Sequence, residues 1–330
     1  MRNRFCILIL IIFSACIDRK NGQESDLQSR KVVEREVAKL SELGIWDVWG
    51  ISQQNGCFLF KVENGIKVVS VLDFGKDANR QDILSRTANE SKQSFIAYDF
   101  VKDELLEFKV EKNGDVSPRT LDLPEGEQHL AAMKGKDFII STGLYEVGRY
   151  RYYSLTTGEI KYCLSYPWHP DFPDMTEKTK AILYASSVLR LRPDEKAFVC
   201  GDMYSGNIEF CRIEGGNITR VKSLCLHLPE IKIKESESVI YRRSNRMGFS
   251  DIAVSQDQVY ALHSGKTYLR NNTDFVTCDE LLEFDWDGNL LSKYDLKTSV
   301  TSILYDEKEH ALYAVKNKAN IPLLKIELPD

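Results

Sequence analysis

The chain has 330 residues, with 44 Lys and Arg against 49 Asp and Glu and a formal charge of −5 at pH 7. Such an acidic balance does not recommend nucleic acid, which calls for a basic face, and no nucleic-acid partner is expected. Eight cysteines occur with no CxxC spacing, which argues against zinc or thioredoxin-type chemistry.

Residues 1–15 read as a signal peptide: Arg2 and Arg4 supply a basic start, Phe5 to Ile12 an apolar core, and Phe13-Ser14-Ala15 the small-residue approach to cleavage. The apolar run falls short of the ~20 residues that span a bilayer. Cys16 directly after Ser14-Ala15 resembles the lipobox of bacterial lipoproteins, which implies lipidation of Cys16 and attachment to a membrane of the cell envelope. Residues 16–30 are polar and aperiodic, as suits a flexible tether, and 31–330 form the folded domain.

Strands dominate that domain. Val32 to Leu40 reads as a strand, then Trp46 to Ser52, Cys57 to Val62 and Ile66 to Phe74. The polar stretch Lys76 to Lys92 reads as a connection. Glu104-Leu105-Leu106-Glu107-Phe108 then returns unchanged as Glu280-Leu281-Leu282-Glu283-Phe284. Both copies run into turn signals, Asn113-Gly114 and Asp287-Gly288, the mark of a strand entering a hairpin. Looser relatives recur at intervals of roughly 40–50 residues, the period of a propeller array. The pattern predicts an all-β, six-bladed β-propeller with a short helix around Met175 to Tyr184. The sixth unit, ending in Leu323 to Leu328, lacks an outer strand, and Val32 to Leu40 is expected to supply it and close the ring.

Cys200 and Cys211 flank Ser205-Gly206, and a short loop centred there would set them opposite one another, as a disulfide or as two buried thiols. If the strands of a unit are lettered a to d from the inside outwards, the a–b and c–d turns are tight. The long connections, Gly75 to Gln93, Pro167 to Ala185, Pro229 to Gly248 and Gly265 to Asp279, are all d–a or b–c and emerge on one face. Recognition usually sits on loops carried by a rigid scaffold. The candidate ligand-binding residues are therefore Trp168, His169, Tyr241, Arg242, Arg243, Arg246, Tyr268 and Arg270, expected around the channel mouth. Aromatic and guanidinium side chains of this kind are enriched at binding hot spots.

The fifth unit makes a resemblance specific. Gly248-Phe249-Ser250-Asp251-Ile252-Ala253, Val259-Tyr260-Ala261-Leu262-His263-Ser264-Gly265-Lys266 and Leu282-Glu283-Phe284-Asp285-Trp286-Asp287-Gly288-Asn289 resemble the TolB-like six-bladed propeller lipoproteins of Bacteroides-type bacteria. That resemblance implies a six-bladed propeller on a lipid anchor and transfers no enzymatic activity. No HExxH, GxSxG, P-loop or Rossmann fingerprint is present, the five histidines are isolated, and no catalytic residue, cofactor or metal site is expected. The leading expectation is a membrane-tethered module that binds a glycan, peptide or partner protein. The alternative is a metal-dependent hydrolase or lactonase with acids at the inner strand ends, for which Asp251 is the plainest candidate.

Overall fold

The structure, a computed structural model, describes residues 29–39, 56–62, 65–72, 84–91, 94–99, 104–110, 116–121, 123–124, 128–234, 237–307, 309–316 and 322–329. The leader, Cys16, the tether up to residue 28 and the expected strand Trp46 to Ser52 lie outside them.

The fold is a six-bladed β-propeller. Gly56–Val62 and Gly65–Leu72 form the hairpin described for the first blade. Blade 2 holds Leu84–Ser91, Ser94–Asp99, Glu104–Val110 and Val116–Leu121. Blade 3 holds His129–Lys134, Phe138–Gly143, Tyr150–Ser154 and Ile160–Cys163. Blade 4 holds Ser187–Leu191, Ala197–Asp202, Asn207–Glu214 and Asn217–Cys225. Blade 5 holds Phe249–Val254, Gln258–His263, Cys278–Asp285 and Leu290–Val300. The innermost strands of blades 2 to 6 pack against one another in sequence order.

Blade 6 takes Ser302–Asp306, Ala311–Val315 and Pro322–Glu327 from the end of the chain, and its outermost strand is Val33–Lys39 from the beginning. Val33 pairs with Glu327 and Lys39 with Pro322, antiparallel, so the expected closure is present. Val32 is buried with Leu324, Ile326 and Leu328, and Arg35 pairs with Glu327 at 3.3 Å. The strand covers an edge that would otherwise offer unpaired backbone groups.

Both faces of a blade pack on neighbours, so strict alternation fails where packing is tightest. Phe138–Gly143 and Ala197–Asp202 are buried at every position. One cluster joins Met133, Ile140 and Tyr150 of blade 3 to Leu189, Phe198 and Ile213 of blade 4. The next joins Val199 and Phe210 to Ile252, Val259 and Phe284 of blade 5. Each such side chain contributes about 1.5–3 kcal/mol of transfer free energy. The two Glu-Leu-Leu-Glu-Phe copies occupy the same place, the third strand of blades 2 and 5, with both leucines buried in each.

Two expectations are corrected. Leu84–Ser91, within the stretch read as a connection, is the innermost strand of blade 2, with Leu84 opposite Asp99 and Thr87 opposite Ile96. Ladder hydrogen bonds define this strand, and its Ser-Arg-Thr-Ala-Asn-Glu run gave no hydrophobic period to read. Cys200 and Cys211 are buried free thiols that do not face one another. Phe198 stands opposite Cys211 and Glu209 opposite Cys200, because the loop is centred between Tyr204 and Ser205, one residue before the expected centre.

Deleting the closing strand should therefore destabilise the whole ring. A chain beginning at Ser41 is expected to melt on the order of 10 °C or more below one beginning at Ser29, in circular-dichroism melts; equal melting temperatures would show the segment to be tether alone.

Candidate binding face

Three of the long connections fold back as structured insertions on the side of the propeller where d–a and b–c connections emerge. Between blades 3 and 4, Thr176 caps the helix Glu177–Tyr184, accepting a hydrogen bond from Thr179 N at 3.2 Å. Between blades 4 and 5, Ile231–Ile233 and Val239–Tyr241 form an antiparallel hairpin. The b–c connection of blade 5 carries a helical turn, Tyr268–Asn271, followed by a 3-10 turn.

Contacts weld these insertions into one layer. Tyr166, Leu183 and Tyr184 bury against Ile231, with Tyr241 packed on the cluster. The Tyr241 hydroxyl donates to Leu183 O at 2.7 Å, and its ring stacks on Tyr204 at 4.6 Å. The hydroxyl of Thr176 donates to Glu237 Oε1 at 2.8 Å, and Lys178 pairs with the same carboxylate at 3.4 Å. Leu269 N donates to Arg243 O at 2.8 Å, and Arg246 bridges to Thr267. Gly248 lies so close to the loop of blade 4 that an added Cβ would stand 1.7 Å from Ser205 O and 2.2 Å from Asp202 O. Only glycine fits there.

The structure divides the expected binding residues. His169 is buried: Asp171 N donates to its Nδ1 at 3.2 Å, so the proton sits on Nε2, which donates to Pro229 O at 3.1 Å. With both nitrogens engaged it is a strut between two insertions and offers nothing to a ligand. Tyr241 is another strut, and burial raises its hydroxyl pKa. Trp168 and Tyr268 remain 48% and 40% exposed, and Arg242, Arg243, Arg246 and Arg270 are exposed as well. The Arg243 guanidinium lies 4.9 Å from the Tyr268 ring centroid. Among the described residues none of these four guanidiniums forms an ion pair; Glu237, the nearby acid, is taken by Lys178. Sequence reasoning missed Leu269, 63% exposed beside Tyr268, and the stacking partner Tyr204.

Beneath the layer lies a buried ionic floor between blades 3 and 4. Arg149 Nη2 donates to Asp202 Oδ1 at 2.7 Å, and its Nε lies 3.2 Å from Glu209 Oε2. Glu209 also accepts from the Tyr150 hydroxyl at 2.6 Å and pairs with Arg220 at 2.9 Å. Burial works against the Arg149 charge, but Asp202 and Glu209 outweigh it and hold its pKa above the ordinary range. Burial pushes the Asp202 carboxyl up to about 6, with Arg149 opposing. Nearer the surface, burial, His263 and Arg246 together push His227 down to about 4, so it stays neutral at neutral pH. Among the described residues no group of three or more His, Cys, Asp or Glu is placed to hold a metal ion.

A family model described as TolB-like 6-blade propeller-like matches residues 89–308, two thirds of the chain. The chain belongs to that family. Its fold is similar to that of a DUF4221-family protein from Bacteroides vulgatus, with 14% identity, a TM-score of 0.49, and 91% of this chain and 97% of the other covered. It is also similar to the β-propeller domain of Cps50 (Swd1) from Myceliophteria thermophila, with 12% identity, a TM-score of 0.44 and 82% of each chain covered. No curated protein matches the chain. The matched residues include the insertions above blades 3 to 5 as well as the blades that carry them.

Removing Arg149 from the floor would strand the buried Asp202 carboxylate, while Glu209 keeps Arg220. Arg149→Met should cost about 3–5 kcal/mol in urea denaturation, with a smaller loss when made in an Asp202→Asn background because the two sites are coupled.

Proposed function

We propose that the protein is a lipid-anchored recognition module of the bacterial cell envelope, which binds its ligand through the insertion layer over blades 3 to 5. One observation carries this reading. Connections that ordinary hairpins would close in a few residues are here built into a packed layer, and that layer presents Trp168, Tyr268, Leu269 and exposed guanidiniums. Aromatic and arginine side chains held rigidly on a scaffold are the residue types that anchor ligands. The turns of the opposite face are short and self-satisfied: Asp285 Oδ1 accepts from Asp287 N at 3.0 Å and from Asn289 N at 2.8 Å.

The hydrolase alternative gains no support from the inner strands. Asp251, its plainest candidate acid, is buried and engaged by Arg190, Ser302 and the amide of Ile303. For the anchor, the reading rests on the spacing of the leader and on Cys16. Among the described residues no helix is long and apolar enough to cross a membrane.

Two measurements test the proposal. Cys16→Ala should abolish fatty-acid labelling and move the protein from the membrane to the soluble fraction; continued membrane retention would refute the anchor. In pull-downs from the native envelope, Trp168→Ala should lose the captured ligand while Glu214→Ala, on an outer c–d turn, keeps it. The reverse pattern would move recognition to the opposite face.

A further inference from the structure

The insertion layer has a charge pattern that narrows the ligand, and this inference rests on the recognition reading above. Its segments run side by side across the face in a fixed order. The loop carrying Trp168 leans on the next segment through His169, whose Nε2 donates to Pro229 O. That segment pairs with the following one, Arg242 N donating to Glu230 O at 2.8 Å and Ile231 standing opposite Tyr241. The third segment pairs in turn with the last, through Leu269 N to Arg243 O and the Arg246–Thr267 bridge. The result is a strip with exposed Trp168 at one end, Arg242, Arg243 and Arg246 in the middle, and Tyr268, Leu269 and Arg270 at the other end. Hydrogen-bonded neighbours lie about 4.8 Å apart, so the strip is on the order of 15 Å across.

Its electrostatics run against the rest of the molecule. The chain carries a formal charge of −5, yet this strip presents four guanidiniums that no described carboxylate neutralises. Among the described acids nearby, Glu237 is taken by Lys178 and Thr176, while Glu230, which accepts from the Ser244 hydroxyl at 2.6 Å, keeps its charge but pairs with none of the four guanidiniums. Arg243 is also held in place, its guanidinium over Tyr268 and its carbonyl fixed by Leu269 N. An exposed, oriented guanidinium with no acid on it is a fork awaiting an oxyanion.

We propose that this strip docks an anionic polysaccharide, the guanidiniums of Arg242, Arg243, Arg246 and Arg270 engaging its carboxylate or sulfate groups while Trp168 and Tyr268 stack on the sugar rings. Two features select a charged sugar polymer among anionic chains. Aromatic surfaces lie at both ends with Arg242, Arg243 and Arg246 between them and Arg270 beside Tyr268, which suits an extended ligand with flat apolar faces and well-spaced charges. The acidic body opposes every polyanion, and the opposition grows with charge density, so it weighs most against a polyphosphate extending far beyond so small a basic strip.

The test uses the full chain in detergent and measures binding to polygalacturonate, chondroitin sulfate, neutral dextran, poly-glutamate and single-stranded oligonucleotide. Binding to polygalacturonate or chondroitin sulfate is expected, weakening as salt rises, with none to dextran; the preferred polymer separates carboxylate from sulfate recognition. Arg243→Gln and Arg246→Gln should each weaken it about tenfold, equivalent to about 1.4 kcal/mol, and Trp168→Ala should weaken it comparably, all at unchanged melting temperature. Equal or tighter binding to poly-glutamate or to the oligonucleotide would overturn the proposal, as would failure to bind either anionic polysaccharide. Binding to dextran that Trp168→Ala abolishes and the arginine variants retain would also overturn it, while leaving the recognition face itself intact.

Discussion

The carboxylate of Asp251 holds three blades together. It sits buried in the innermost strand of blade 5, where an unsatisfied charge would be strongly destabilising. Arg190 of blade 4 donates to Oδ1, as does Ile252 N at 2.9 Å; on Oδ2 it accepts Ser302 Oγ at 3.1 Å and Ile303 N at 2.9 Å, both from blade 6. Arg190 is itself completed by Leu189 O at 2.8 Å and Ile252 O at 2.7 Å. Inner strands of a propeller converge where backbone groups and small side chains crowd, and apolar packing has least room there. A saturated ion pair fixes their mutual register instead.

Outside that centre, hydrophobic clusters between successive blades carry the stability, and the ring is only as secure as its seam. The chain makes blade 6 from both of its ends, so unravelling either terminus exposes an edge and opens the same apolar cluster that contains Val32, Leu281 and Ile326. A scaffold closed in this way tolerates long connections. Their conformational cost is met by the layer's own packing, through the Tyr166–Tyr184–Ile231 cluster and the buried Arg149 floor, and the blades are left undisturbed.

The division between scaffold and surface explains why the expected binding residues separated as they did. The struts between insertions have their polar atoms engaged, in the buried His169 and the half-buried Tyr241. Trp168, one step along from His169, makes no such bridge and faces outwards, and Arg243 and Tyr268 meet across two insertions through a cation–π contact that leaves both exposed. Aromatic or cationic character in a loop is required for both roles, so composition alone could not tell the strut from the anchor.

The amino-acid sequence by itself determined the architecture. The repeated Glu-Leu-Leu-Glu-Phe, the glycine turns and the unpartnered strand at Val33–Lys39 are local periodicities, and pairing them requires only that each blade be completed. Tertiary structure alone decided the rest. It made a strand of Leu84–Ser91, which has ladder partners and no apolar period, and a hairpin of Ile231–Ile233 and Val239–Tyr241, which are too short to announce themselves. A shift of one residue in the centre of the loop after Asp202 set Cys200 against Glu209 and kept it from facing Cys211. Packing also chose which loop side chains reach solvent. Register and exposure depend on contacts between segments tens of residues apart, and those contacts leave no period in the sequence to read.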